Sequence, residues 1–322
     1  MTHTTETIPR THHRVLVTGG GGYLGSVLVR QLLEEGHHVT VLDSFLWQQA
    51  SLLDCCAFPH FEVVRGDARD EPMVKTLVRA HDTIVPLAAL VGMRICDVDP
   101  IAAETIMRDG LKLLLAHASP SQRILYPATN SGYGVGAGDA ICTEETPLAP
   151  VSLYGRLKVE GEARVLERAS SISLRMATLF GVSPRMRRDL LVNDYVYRAV
   201  HEGSVLFFEG QRRRNLIHVH DAGRAFLHAM DHFETMKGRA YNVGMDDANL
   251  TRVQVCEAIK RCIPSFVYVQ SGAGHDPDIR DCIVSSARLT ATGFRAQYSL
   301  DRGIRELIKC YAILPRALYV NV

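Results

Sequence analysis

The chain has 322 residues, with 36 Lys and Arg against 35 Asp and Glu, a formal charge of +1 and 47% apolar residues. That length holds one large α/β unit or two intimate ones, and the composition is that of a globular enzyme. The near-neutral charge excludes a generic polyanion binder, so no nucleic acid partner is expected. No apolar run reaches the roughly 18 residues of a membrane-spanning helix.

The opening MTHTTETIPRTHH is polar, lacks the apolar stretch of a secretory signal and reads as a frayed tail. Eight cysteines without a CxxC pair or zinc-ligand spacing read as reduced thiols of a cytoplasmic protein that holds no metal. The neighbouring pairs His12-His13 and His37-His38 read as polar edges.

The first patterned stretch is RVLVTGGGGYLG, Arg14 to Gly25. Val15 to Val17 read as a buried strand, and Gly19, Gly22 and Gly25 have GxxGxxG spacing. Tyr23 to Glu35 carries apolar residues at helical intervals, and Gly36 suits the helix C-cap. Strand, glycine turn and helix in this order make a cradle for a dinucleotide diphosphate. The glycines admit the backbone close to the phosphates, and the helix N-terminus faces them. Gly19, Gly22, Tyr23 and Leu24 are therefore candidate cofactor contacts.

His38 to Leu42 reads as a second strand closing on Asp43. A carboxylate at that distance from the glycines accepts the adenosine ribose hydroxyls and repels a 2′-phosphate, which favours NAD over NADP. The same Asp also suits the cap of the next segment. Phe61 to Arg65 reads as a third strand, followed by Asp67 where a carboxylate meets adenine, with Ala68 beside it. A fourth strand, Thr83 to Leu87, runs into Ala88 and Ala89, small enough for the backbone to lie along the cofactor. Ile101 to Ala118 reads as one long helix and Arg123 to Tyr126 as a fifth strand. This alternation implies a Rossmann-type, doubly wound parallel sheet in an α/β fold.

Chemistry-bearing residues follow the fifth strand. YPATNSGYG places Thr129, Asn130 and Ser131 on the loop outside a strand's carboxyl end, where open α/β sheets bind ligands. Some 25 residues on, Tyr154 and Lys158 stand at i and i+4 of a helix expected to start near Val151 after Pro150, and so share one face. An ammonium beside a phenol lowers the phenol's pKa from about 10, and the phenolate can then take the proton of an alcohol that loses hydride. A YxxxK pair also arises on ordinary amphipathic helices. What distinguishes this one is its register with the glycine cradle and Thr129.

Together these motifs resemble the extended short-chain dehydrogenase/reductase superfamily, in particular its NAD-dependent nucleotide-sugar epimerases and dehydratases. The resemblance runs from VLVTGGGGYLG to the ATGF and SLDRGIREL segments. It implies that Thr129 binds the sugar hydroxyl, Tyr154 is the base, and Lys158 tunes Tyr154 and holds the nicotinamide ribose. It further implies a cofactor unit over residues 1–175, with segments at about 215–244 returning to it. A smaller C-terminal α/β unit over residues 176–214 and 245–322 would bind the nucleotide sugar. Arg214, in RRRNLIHVHD, and Arg280, in DIRD, match the family's diphosphate-binding arginines, and a guanidinium suits bidentate phosphate recognition. Both also read as solvated charges. Asn193, in LLVND, matches a substrate-contact position. Family members often dimerise through two long helices, here Ile101–Ala118 and Ser152–Ala169. The apolar Leu111–Leu115 suits such a homodimer and equally suits the chain's own sheet.

Two departures narrow the reaction. The family's dehydratases carry Asp-Glu directly after the Thr, whereas this chain has Asn130 and Ser131, which supply no carboxyl group for acid–base work. Dehydration is therefore disfavoured. Where the family usually has Asn in the helix before the fifth strand, this chain has Met107. The segments LAALVG, ASPSQ, TNSGYG, SPRMRRDLLVND and RRNLIHV resemble the GDP-manno-heptose 4-dehydrogenase group. That resemblance implies oxidation of a GDP-sugar at carbon 4, with 4-epimerisation as the alternative outcome of the same chemistry. A catalytically silent NAD(H)-binding regulator would be expected to have lost the Tyr/Lys pair, which is intact here.

Overall fold

A computed structural model describes residues 12–314 apart from 137, 273 and 275–279. The expected tail over residues 1–11 and the Asp278-Ile279 part of the DIRD segment lie outside the described residues. His13 is not frayed: its N–H donates to His37 Nδ1 at 3.2 Å and its carbonyl accepts from His38 N–H at 3.0 Å.

The centre is a seven-stranded parallel sheet. In chain order its strands are β1 (Arg14–Thr18), β2 (His38–Asp43), β3 (Phe61–Arg65), β4 (Thr83–Pro86), β5 (Arg123–Thr129), β6 (Ser171–Met176) and β7 (Arg239–Val243). Across the sheet they run β7-β6-β5-β4-β1-β2-β3. The order reverses between β1 and β4, and ligands of open α/β sheets sit at the carboxyl ends beside such a switch point. Buried Val15, Leu16 and Val17 make β1 the central strand.

Three expectations shift in register. β5 continues past Tyr126 to Thr129, which pairs with Met176, so Thr129 ends a strand instead of lying on a loop. The helix carrying Tyr154 and Lys158 is Leu153–Leu166, and the Ser152 side chain caps it by accepting from Gly155 N–H. The long helix over 101–118 is broken into Pro100–Glu104, a π-helical turn Thr105–Asp109 and Gly110–His117. Leu111 and Leu114 there face the chain's own sheet core.

Besides the core around Leu16, Ile84, Leu111 and Leu114 there are two larger ones. One joins the sheet to helices Tyr23–Glu34 and Val219–Asp231, and Leu289 and Phe294 pack into it from the C-terminal third. The other is built from Phe180, Val196, Phe207, Ile259, Phe266 and Ile304. A smaller sheet, Asn249–Thr251, Arg213–His218 and Thr178–Phe180, runs between them, with Ile217 packed in the first core and Leu216 in the second.

The helix Leu153–Leu166 is pinned to β6 by a buried ion pair. Arg175 donates from Nε at 3.0 Å and from Nη2 at 2.7 Å to Glu162, which also accepts from Ser173 Oγ at 2.7 Å. Arg175 Nη1 reaches Tyr133 Oη at 2.9 Å, and Tyr133 donates to Asn242 Oδ1 at 2.7 Å. Removing one partner leaves the other charge buried and uncompensated. Glu162→Ala is thus expected to cost about 3 to 5 kcal/mol in urea denaturation, and a loss indistinguishable from zero would contradict this reading.

Candidate active site

The carboxyl ends of β1, β2, β4 and β5 open into one cavity of about 450 Å³. Gly19, Gly22, Tyr23, Leu24, Asp43, Asp67, Ala68, Leu87, Ala88 and Ala89 line one part of it, and Thr129, Asn130, Ser131, Tyr154, Lys158 and Arg280 line the rest. Gly19 shows why the turn needs glycine: its φ is +74° and a Cβ there would stand 2.6 Å from the Ala88 backbone nitrogen. Asp43 is aimed by Gly21 N–H at 2.8 Å and Phe45 N–H at 2.7 Å. Arg69 grips Asp67 at 2.6 and 2.9 Å and holds its carboxyl below the ordinary range.

At the other part of the cavity, Tyr154 is hydrogen-bonded to Thr129. Thr129 Oγ1 donates to Ser131 Oγ at 3.1 Å and accepts from Ser131 N–H at 3.2 Å, and the Arg280 guanidinium donates to Ser131 Oγ as well. Lys158 is buried, its ammonium 5.1 Å above the Tyr126 ring, whose hydroxyl donates to the Lys158 carbonyl at 3.4 Å. Met107, in the π-helical turn, lines a small apolar cavity against Lys158 and Tyr126. A thioether cannot match the two donors and the carbonyl of the Asn usual at this position.

Electrostatics correct one expectation. Burial pushes the Tyr154 phenol up to about 12, and the groups that oppose this are Arg187, Arg280 and the Thr129 hydrogen bond, with Lys158 not among them. Lys158 itself is pulled down to about 8, also by burial. In the protein without cofactor, desolvation therefore outweighs the neighbouring cations at Tyr154.

Two candidate substrate residues fall elsewhere. Asn193 is fully buried outside the cavity lining: Oδ1 accepts from Gly181 N–H at 3.0 Å, and Nδ2 donates to Tyr23 Oη at 3.2 Å and to the Arg187 carbonyl at 2.9 Å. Its short amide is used up in positioning the cavity wall, which corrects the expectation of substrate contact. Arg214 is also outside the lining and donates to the Arg280 carbonyl, so it stands behind Arg280.

Conversely, Arg185 and Arg187 line the cavity and were not foreseen as contacts. Arg185 is only 2% exposed, stacks 5.1 Å over Trp47 and is lowered to about 10 by burial. Arg187 is paired with Asp189 at 3.2 Å. The density of arginines in SPRMRR was the available signal, but spacing alone does not tell which of them turn inward.

A dinucleotide fits these residues, with a glycine turn at a helix N-terminus for the diphosphate, a fixed carboxylate at the end of β2, and a buried Lys beside the chemistry. Residues 15–244 match the NAD dependent epimerase/dehydratase family, and the chain belongs to it. It is therefore an enzyme that uses NAD. It is 28% identical over 311 residues to the low-salt glycan biosynthesis protein Agl12 of Haloferax volcanii, covering 92% of this chain and 98% of that one. It is also 28% identical over 324 residues to a dTDP-glucose 4,6-dehydratase of Streptomyces niveus, covering 92% of each. In fold it matches the UDP-glucuronic acid 4-epimerase of Bacillus cereus, solved with UDP-glucuronic acid and NAD, with TM-score 0.81, 19% identity, and coverage of 93% of this chain and 99% of that one.

The depressed Lys158 has a consequence for stability. Its folded value of about 8 lies below the ordinary 10.5, so keeping it charged costs the fold stability at neutral pH, and that cost is relieved as pH rises through about 8 and above. Lys158→Met is expected to stabilise the cofactor-free protein by about 1 to 3 kcal/mol at neutral pH, with the gain shrinking towards pH 10. Urea denaturation across that range checks it, and a destabilised variant would contradict it.

Proposed function

We propose that this enzyme oxidises carbon 4 of a nucleotide-activated sugar, a GDP-heptose-like molecule, to the 4-keto sugar. The observation that carries the reading is the meeting of Thr129, Tyr154 and Lys158 with the glycine cradle and Asp43 in one cavity. The cavity would hold NAD⁺, which when bound would supply the hydride acceptor. Thr129 orients the 4-hydroxyl and Tyr154 takes its proton. Lys158, held over Tyr126, would hold the nicotinamide ribose. Arg280, backed by Arg214, holds the substrate diphosphate.

Asn130 and Ser131 speak against the dehydration named for the Streptomyces relative, since neither is an acid. The GDP-sugar preference rests on the resemblance of LAALVG, ASPSQ, TNSGYG, SPRMRRDLLVND and RRNLIHV to the GDP-heptose 4-dehydrogenase group. Epimerisation at carbon 4 uses the same groups and is the second reading, supported by the epimerase likeness in fold. We further propose that the enzyme is cytoplasmic, in keeping with eight free cysteines, and that it dimerises through the helical stretches 101–118 and 152–169, the first of which begins at Ile101, 75% exposed. Among the described residues no helix is long and apolar enough to cross a membrane.

Product NMR on a panel of GDP-, UDP-, CDP- and dTDP-sugars, with reduced-cofactor absorbance followed alongside, tests the reading. A 4-keto product with accumulating reduced cofactor is expected, whereas an inverted sugar with no net reduction would favour the epimerase. Tyr154→Phe should cost about 10² to 10⁴ in rate, and wild-type rates in that variant would remove Tyr154 as base. Arg280→Ala should raise KM for the sugar well beyond its effect on NAD affinity, and equal losses of both would contradict the diphosphate assignment.

A further inference from the structure

We propose that Ser131 is a positioning residue that ties the Tyr154 hydroxyl, through Thr129, to the Arg280 guanidinium. The inference rests on the reading of Tyr154 as the base. It starts from a position where the dehydratase-like acid is missing and asks what the hydroxyl there does instead.

The hydrogen bonds form one directed chain. Thr129 has a single proton, and it points to Ser131 Oγ, while its oxygen accepts from Ser131 N–H and its contact with Tyr154 favours the phenolate. Ser131 Oγ accepts from both Thr129 and Arg280, and its own proton is free to turn. When Tyr154 gives up its proton, the two hydroxyls can reverse: Thr129 donates to the phenolate and Ser131 donates to Thr129. Arg280 goes on filling a lone pair of Ser131. No proton crosses the chain. The only one lost is that of Tyr154, and the new charge is met by a hydrogen-bonded row ending on a permanent cation.

The surroundings of Tyr154 make this route matter. The groups acting on it are Arg187 from the segment before helix Leu191–His201, Cys96 from helix Met93–Val98, and Arg280 and Thr129. Lys158 stands one turn along its own helix, and Tyr126 packs beneath that Lys. Cys96 is an apolar-packed thiol bonded to the Leu90 carbonyl at 3.2 Å and opposes the phenolate. Arg187 is shared with Asp189. Met107 closes the side of Lys158 with a group that neither donates nor relays a proton. The hydroxyl row is therefore a polar path from the base to a cation.

The test reads Tyr154 directly and needs neither substrate nor turnover. Difluorotyrosine placed at position 154 titrates at lower pH than tyrosine and reports its ionisation by fluorine NMR. Ser131→Ala is expected to raise its midpoint by about one pH unit, a tenfold loss of phenolate below it, while Ser131→Thr, which keeps the hydroxyl, stays near the parent value. In an Arg280→Gln background the Ser131→Ala shift should fall to less than half, because the two residues act in series. An unmoved midpoint in Ser131→Ala, or an undiminished shift in the Arg280→Gln background, would overturn the proposal. Inactivity on every nucleotide sugar with a Ser131-dependent titration removes the proposed function and leaves this inference standing. Activity with a Ser131-independent titration does the reverse.

Discussion

The buried pair between Arg175 and Glu162 is the constraint on which the candidate site depends. Glu162 lies two turns beyond Tyr154 and one beyond Lys158 on the same helix, while Arg175 belongs to β6. Through Tyr133 the same guanidinium reaches the turn Asn130–Tyr133, which follows Thr129 directly. One cation therefore sets the helix that carries Tyr154 and Lys158 in register with the turn that carries Ser131. Asn242 ties the arrangement to β7. Such a pair is costly to bury, and its value lies in the fixed geometry more than in net stability.

That geometry explains how a cavity lined by several guanidinium groups still holds a neutral phenol and a depressed ammonium. Arg185, Arg187 and Arg280 come from segments outside the first strands and helices of the fold, whereas Tyr154 and Lys158 sit on the helix that the Glu162–Arg175 pair pins to β6. Burial controls the acid–base groups, and the arginines act on them from across the cavity. A site built this way is poised towards a bound cation or anion, since either changes the balance between desolvation and charge.

The cradle and the convergence of Thr129, Tyr154 and Lys158 were legible in the sequence because each depends on local spacing. Glycines at fixed intervals make the turn, and i, i+4 residues share a helix face. The parallel, doubly wound sheet followed from alternation. What was not legible depends on contacts distant in sequence. Asn193 matched a ligand position by motif, yet its amide meets Tyr23 and Gly181, 170 and 12 residues away. Arg214 was chosen by motif and lies behind Arg280, while Arg185 and Arg187 were passed over in a run of similar arginines. The phenol's direction was misread because adjacency to Lys158 is visible in a sequence and depth of burial is not. The π-helical turn at Met107 leaves no periodic signature, since one inserted residue within a helical stretch only shifts the phase of the apolar pattern.

The central claim is that hydride leaves carbon 4 of a sugar and stays on the cofactor. A nucleotide sugar deuterated at carbon 4, incubated with the enzyme and NAD⁺ in a single turnover and analysed by mass spectrometry, tests it most directly. The account requires the deuterium on the reduced cofactor and a 4-keto sugar without it. Deuterium retained at carbon 4 of an inverted product, or lost to water, would contradict it.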